Sequence, residues 1–176
     1  MIYPTDTAFG VGCRVDDENA VQKLFTIRKR PTMQATPVLV DTIKMMEEYI
    51  SDIPDNVVAK LIERYWPGAL TIVFPCKVEK VASRVRGGGN TIGLRIPNHP
   101  IARTLIREMG VPILGPSANF HSEKTPYEFK DLDPELVKLV DYIIPGECSV
   151  KEQSTVIDCS DKPWKILRYG AIRLRI

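Results

Sequence analysis

Residues Thr91–Phe120 read "TIGLRIPNHPIARTLIREMGVPILGPSANF". The opening "TIGLRI" has the branched, apolar content of a strand, the run from Pro100 to about Met109 starts on a proline and reads as a helix, and "PIL" is again strand-like. The chain then leaves this apolar strand through "LGPSANF", Leu114 to Phe120. Gly, Pro, Ser and Asn are what tight turns select. They are also what a ligand site uses, because small side chains admit a ligand to the backbone while Ser and Asn supply hydrogen bonds.

The alternation continues outward. Tyr3 to Val11 begins as a strand and passes into Thr5, Asp6 and Thr7 at or just beyond its end. Asp16 and Asp17 offer N-caps to a helix with Ala20, Val21, Leu24 and Phe25 on one stripe, stopped at Arg28-Lys29-Arg30-Pro31. "PVLV" (37–40) reads as a central strand, "TIKMMEEYI" from Thr42 as helical, and Asp55 to Tyr65 as a helix ended by Trp66-Pro67-Gly68. "ALTIVF" is a strand; the last third adds a helix around Pro134 to Val140 and strands "DYIIP", "STVID" and "WKILRY". The expected architecture is α/β, an open twisted mixed sheet with flanking helices, in a single domain over residues 1–176.

With 176 residues, 44% of them hydrophobic, the chain can bury one substantial core. Its net charge of +2 is far from that of a histone-like protein, so nucleic-acid binding is neither demanded nor excluded. Cys13, Cys76, Cys148 and Cys159 are widely scattered and only two histidines are available, which disfavours zinc and disulfides and points to a cytoplasmic setting. No apolar run approaches the roughly 20 residues of a membrane span, and no targeting segment precedes Tyr3.

Three polar stretches follow strands, "PTDT", "RIPNH" and "GPSAN", and polar exits at one sheet edge can converge on one crevice. Arg28-Lys29-Arg30 either complements a helix C-terminus or clamps phosphate. "RVRGGGN" (84–90) is either a mobile loop or a cationic lid. Arg95 interrupts an apolar strand; buried, it needs an anion, either a ligand or a structural acid. Arg168 poses the same question at a later strand end, with a solvated surface cation as the simpler answer, and Thr7, Thr91 and Ser154 are either β-edge hydroxyls or site residues. No Ser/His/Asp order, paired carboxylates or Walker-type loop is present.

Taken together, "YPTDTAFGVGC", "IRKRP", "WPGALTIVF", "TIGLRIPNHP", "GPSAN", "STVID" and "ILRYGAI" resemble the YrdC/Sua5/YciO family, whose best-known members are threonylcarbamoyl-AMP synthases. The resemblance spans the chain. It implies a YrdC-like fold in which L-threonine, bicarbonate and ATP, with Mg²⁺ assisting, give L-threonylcarbamoyladenylate and pyrophosphate. The adenylate serves t6A modification of tRNA position 37 by a separate transferase complex, and binding of tRNA or double-stranded RNA is a further expectation. No nucleophilic side chain is needed, which accounts for the missing triad.

On this resemblance Thr7, Arg95, Ser154 and Asp41 belong to the threonine site. Arg30, Thr36, Thr91, Gly115, Ser117, Thr125 and Arg168 belong to the ATP site, and Asn119 holds the "SAN" turn. The departures are Arg28 for the family's leading Lys, a longer link "PTMQAT" with Thr36 where Asn is common, Asp41 where His is common, and a start almost on the first motif, without the usual lead-in. They keep open an alternative, a YciO-like RNA-binding protein with weak or no synthase activity. A carbamoyl-transfer domain of the hydrogenase-maturation type is disfavoured, since its acylphosphatase and zinc-finger segments are not found.

Overall fold

The computed structural model describes residues 1–174. Its main sheet has six strands: β3 (Val38–Leu39), β4 (Leu70–Pro75), β5 (Thr91–Arg95), β6 (Ile113–Leu114), β7 (Thr155–Asp158) and β8 (Lys165–Arg168). They lie in the order β6-β3-β5-β4-β7-β8. The pairs β3/β5 and β4/β7 are parallel and the other neighbours antiparallel, so the sheet is mixed, as expected. Ile72, Phe74, Ile92, Leu94 and Ile157 anchor its buried core.

The two helices with complete local signals form where expected. Helix α1 (Glu18–Ile27) starts at Asp17, whose side chain accepts from the Ala20 amide, and buries Val21, Leu24 and Phe25. The helix Pro100–Met109 has its proline in the first turn, where no amide partner is lost, and stops at Gly110 in the left-handed conformation. The expected helix over Asp55 to Tyr65 is instead Asp55–Val57, a π-helical turn Val58–Ile62, and Glu63–Tyr65. Val57, Leu61 and Ile62 all become buried in that arrangement.

Two strand expectations are corrected. The short strand expected at the start of Tyr3 to Val11 is β1 (Ile2–Tyr3), and it pairs antiparallel with a second strand, β2 (Gly10–Val11), that was not foreseen. Pro4 cannot extend a ladder, and the Thr5 hydroxyl closes the chain into a turn: it accepts from the Thr7 and Ala8 amides and donates to the Ala8 carbonyl at 2.7 Å. "DYIIP" makes only one bridge, Ile2 with Ile143, because the next bond of this parallel ladder would need an amide at Pro4, which has none.

Asp41, just beyond β3, is also relocated. Its carboxylate accepts from Arg103 Nε at 2.8 Å and Arg107 Nε at 3.1 Å, both on the helix Pro100–Met109, and so ties that helix to the sheet. Burial alone would raise this carboxyl; the two guanidiniums outweigh it and hold it below the usual value. A lowered folded-state value contributes stability above the unfolded value, lost as pH falls through the folded one. Asp41→Asn is therefore expected to cost about 1–2 kcal/mol in urea unfolding at pH 7, given partly exposed partners. The gap from the native protein should close below about pH 4; a gap that persisted in acid would contradict the ion-pair role.

Candidate functional site

A cavity of about 130 Å³ opens where the β1–β2 turn, the end of α1, the Gly115–Ser117 exit and the starts and ends of β4, β5, β7 and β8 meet. That is smaller than a typical pocket for a whole cofactor, so the enclosed part suits one portion of a ligand and the mouth must take the rest. Thr7, Arg30, Arg95, Gly115, Ser117, Thr125, Ser154 and Arg168 of the expected residues line it. Thr36, Asp41 and Thr91 do not.

The reasons differ. Asp41 is committed to Arg103 and Arg107. Thr91 pairs with Pro75 at the opposite end of β5 from Arg95, about 13 Å away along the strand. Thr36 is buried with its hydroxyl unpartnered, and its amide donates to Val85 O at 2.9 Å, facing the Arg84–Asn90 loop. In that loop Arg86 Nε donates to Val81 O at 3.2 Å and its Nη1 to Gly89 O, and neither Arg84 nor Arg86 lines the cavity.

Arg95 is 5% exposed and every nitrogen is engaged. Nε donates to Gly68 O at 2.9 Å, Nη1 to Thr7 Oγ1 at 2.7 Å, and Nη2 pairs with Asp6. The anion that the strand-borne arginine requires is thus a side chain 89 residues away, not only a ligand. Burial pulls the Arg95 pKa down, and the Asp6 charge opposes that pull. Thr7 Oγ1 in turn lies 3.1 Å from Thr5 Oγ1, so the inner wall is a hydroxyl chain ending at the Ala8 carbonyl.

Ser154 sits in a second hydroxyl cluster. Its Oγ accepts from Arg168 Nη2 at 3.0 Å and lies 2.9 Å from Thr71 Oγ1, while Arg168 Nε donates to the Ser154 carbonyl at 2.9 Å. Burial, and then the Arg95 charge, lower the Arg168 pKa. Thr125 accepts from Gln153 Nε2 at 2.7 Å. Thr71 and Gln153 line the cavity without having been singled out; a hydroxyl inside the apolar run "ALTIVF" was the available signal for Thr71.

The "SAN" segment is both a turn and a wall. Val11 N donates to Pro116 O at 2.9 Å and Ala118 N to Phe9 O at 2.8 Å, which lays it along β2. Gly115 packs so closely that a Cβ would meet Leu39 Cγ at 2.5 Å. Asn119 Nδ2 donates to Phe120 O and Glu123 O, each at 2.8 Å, holding the turn.

Arg28 carries the sharpest electrostatic anomaly. It is 3% exposed, Nε donates to the Asn119 carbonyl at 3.0 Å, and Nη1 has no partner. Burial, with help from Arg30, pushes its pKa down to about 10. Arg30 Nε and Nη2 donate to the Gln34 and Ala35 carbonyls, and burial lowers its pKa as well. Arg28, Arg30, Arg95 and Arg168 thus line a cavity to whose wall no Asp or Glu contributes among the described residues. Asp6, behind that wall, neutralises Arg95, so the positive charge without a carboxylate partner is that of Arg28, Arg30 and Arg168.

The family model described as "Telomere recombination", Sua5_yciO_yrdC, matches residues 1–170. The chain belongs to the Sua5/YciO/YrdC family. It is 35% identical to a threonylcarbamoyl-AMP synthase of Bacillus subtilis, covering 98% of this chain and 50% of that protein. It is 31% identical to the uncharacterized protein YciO of Escherichia coli, covering 97% and 82%. The crystal structure of Pyrococcus abyssi Sua5 complexed with L-threonine superposes with a TM-score of 0.88 at 33% identity, over 96% of this chain and 49% of that one. The chain therefore spans about half the length of the B. subtilis and P. abyssi proteins.

Proposed function

We propose that this Sua5/YciO/YrdC domain forms L-threonylcarbamoyladenylate and pyrophosphate from L-threonine, bicarbonate and ATP, as a nucleotidyltransferase supplying t6A modification of tRNA. The observation that carries the reading is the cavity lined by four arginines, with Arg28 buried and without a counter-ion. A triphosphate answers that charge, and the hydroxyl-lined inner end beside Arg95 suits an amino acid. The B. subtilis relative's name and the L-threonine complex of P. abyssi Sua5 support the same substrates.

The chemistry needs positioning more than a reactive side chain. The threonine amine takes up the carbon of bicarbonate with loss of water, giving a carbamate. A carbamate oxygen attacks the α-phosphorus, and the bond to the β,γ-phosphates breaks to release pyrophosphate. Arg28, Arg30 and Arg168 would neutralise phosphate charge in the transition state, while Thr7, Arg95 and Ser154 would orient the amino acid. Gly115 and Ser117 line the wall along which the nucleotide would pass, with Thr125 nearby. The lining supplies hydroxyls and guanidiniums rather than carboxylates, so it does not form a metal site of its own; Mg²⁺ would enter on the nucleotide's phosphates.

Asp41, expected in the threonine site, is committed instead to Arg103 and Arg107 and stands apart from the cavity, so its negative charge does not oppose a nucleotide there. The test is pyrophosphate release by the purified chain with ATP, Mg²⁺ and bicarbonate. Release that depends on threonine is expected; absence of threonine-dependent release alongside retained RNA binding would favour the YciO-like reading instead.

A further inference from the structure

Arg30 owes its direction to its own loop, since its guanidinium is held by the Gln34 and Ala35 carbonyls. Those carbonyls belong to the irregular Pro31–Thr36 segment, which is seated against the Arg84–Asn90 loop. The seat is Gly87: a Cβ there would meet Ala35 N at 2.6 Å and Met33 O at 2.8 Å, both backbone atoms with no freedom to yield alone. Gly87 and Gly88 also hold φ of 60° and 76°, in the left-handed region. The loop beneath is itself tied down, with Gly87 N donating to Arg84 O at 3.2 Å and Gly88 N to Ser83 O at 2.9 Å.

Neighbouring glycines differ. A Cβ at Gly88 would meet only the flexible end of the Met33 side chain, Cε at 2.8 Å and Sδ at 3.4 Å. One at Gly89 would meet Arg86 O at an ordinary 3.5 Å. The close backbone approach is thus confined to Gly87 within this triplet.

We propose that Gly87 is a positioning residue for the anion site: it seats the Met33–Ala35 backbone, and that backbone aims the Arg30 guanidinium into the cavity. "RVRGGGN" is then a buttress beneath the phosphate-binding arginine. The inference rests on the reading of the cavity as a phosphate site.

Isothermal titration with inorganic triphosphate and with MgATP tests it. Gly87→Ala and Gly87→Asn are expected to weaken both ligands about tenfold or more, since small misplacement of a positioning group is costly. Asn tolerates the left-handed region, so its loss isolates the steric contact from backbone strain. Gly88→Asn and Gly89→Ala should stay within about twofold. Because Gly87 acts through Arg30, the double variant Gly87→Ala/Arg30→Ala should bind no more weakly than Arg30→Ala. In the pyrophosphate assay the KM for ATP should rise in Gly87→Ala while that for threonine stays within about twofold. Unchanged binding in both Gly87 variants, or losses that multiply in the double variant, would overturn the proposal while leaving the phosphate reading intact. A native protein that binds neither triphosphate nor MgATP would overturn the phosphate reading, and the proposal with it.

Discussion

Arg95→Ala is expected to lower the unfolding free energy by about 3–5 kcal/mol, because it strands the buried Asp6 carboxylate. Asp6 Oδ2 has no partner even in the intact protein, so the remaining oxygen depends on Arg95. The loss also leaves the Gly68 carbonyl without its guanidinium donor and leaves the Thr7 hydroxyl with the Thr5 hydroxyl alone. Urea unfolding measures the change directly. Replacing both charges, Asp6→Asn with Arg95→Met, should recover most of it, since a buried pair often exchanges for neutral groups at little net cost. Pyrophosphate release then separates the two jobs of this arginine: a folded double variant that still used threonine normally would show Arg95 to be a strut alone. A single Arg95→Ala variant as stable as the native protein would contradict the Asp6 pairing.

Arg28→Met should behave oppositely. Arg28 is nearly as buried as Arg95 but has no carboxylate beside it, and its one well-formed hydrogen bond is to the Asn119 carbonyl. Removing an uncompensated buried charge offsets losing that bond, so stability is expected to hold within about 1 kcal/mol or rise. Triphosphate affinity should fall at least about tenfold, the scale of one or two charged hydrogen bonds. The dependence of affinity on salt should flatten too, because one fewer cation meets the anion. Arg28→Lys should fall between, since an ammonium cannot reproduce the fork that reaches both Asn119 and the cavity. Marked destabilisation with affinity unchanged would assign Arg28 to the turn and not to the ligand.

The contrast between these arginines marks the limit of what could be read beforehand. Arg95 was legible as a residue needing an anion, because an arginine inside "TIGLRI" is conspicuous; that Asp6 supplies one depends on β1 and the following turn meeting β5, which no local pattern encodes. Asp41 was assigned to the threonine site by the family resemblance, and nothing in the sequence marks Arg103 and Arg107 as its partners. Their convergence is a product of how that helix lies on the sheet. Helices α1 and Pro100–Met109 were readable to their ends because Asp17, Pro100 and Gly110 signal locally. β1 and β2 were not separable, since a strand of two residues is defined by its partner. Thr91 shared the sequence neighbourhood of Arg95 but not its end of the strand.

The strand order β6-β3-β5-β4-β7-β8 brings Thr5, near the start of the chain, and Arg168, near its end, into one wall. Arg168 reaches that wall from the outermost strand, which is held to the rest of the sheet by β7 alone. The cavity wall is therefore complete only where β8 lies docked on β7. A polyanion bound as proposed would bridge the Thr5 turn and β8 across the sheet. By mass action it would add about 2.7 kcal/mol at one hundred times its dissociation constant, resisting the fraying of an edge strand that has only one neighbour.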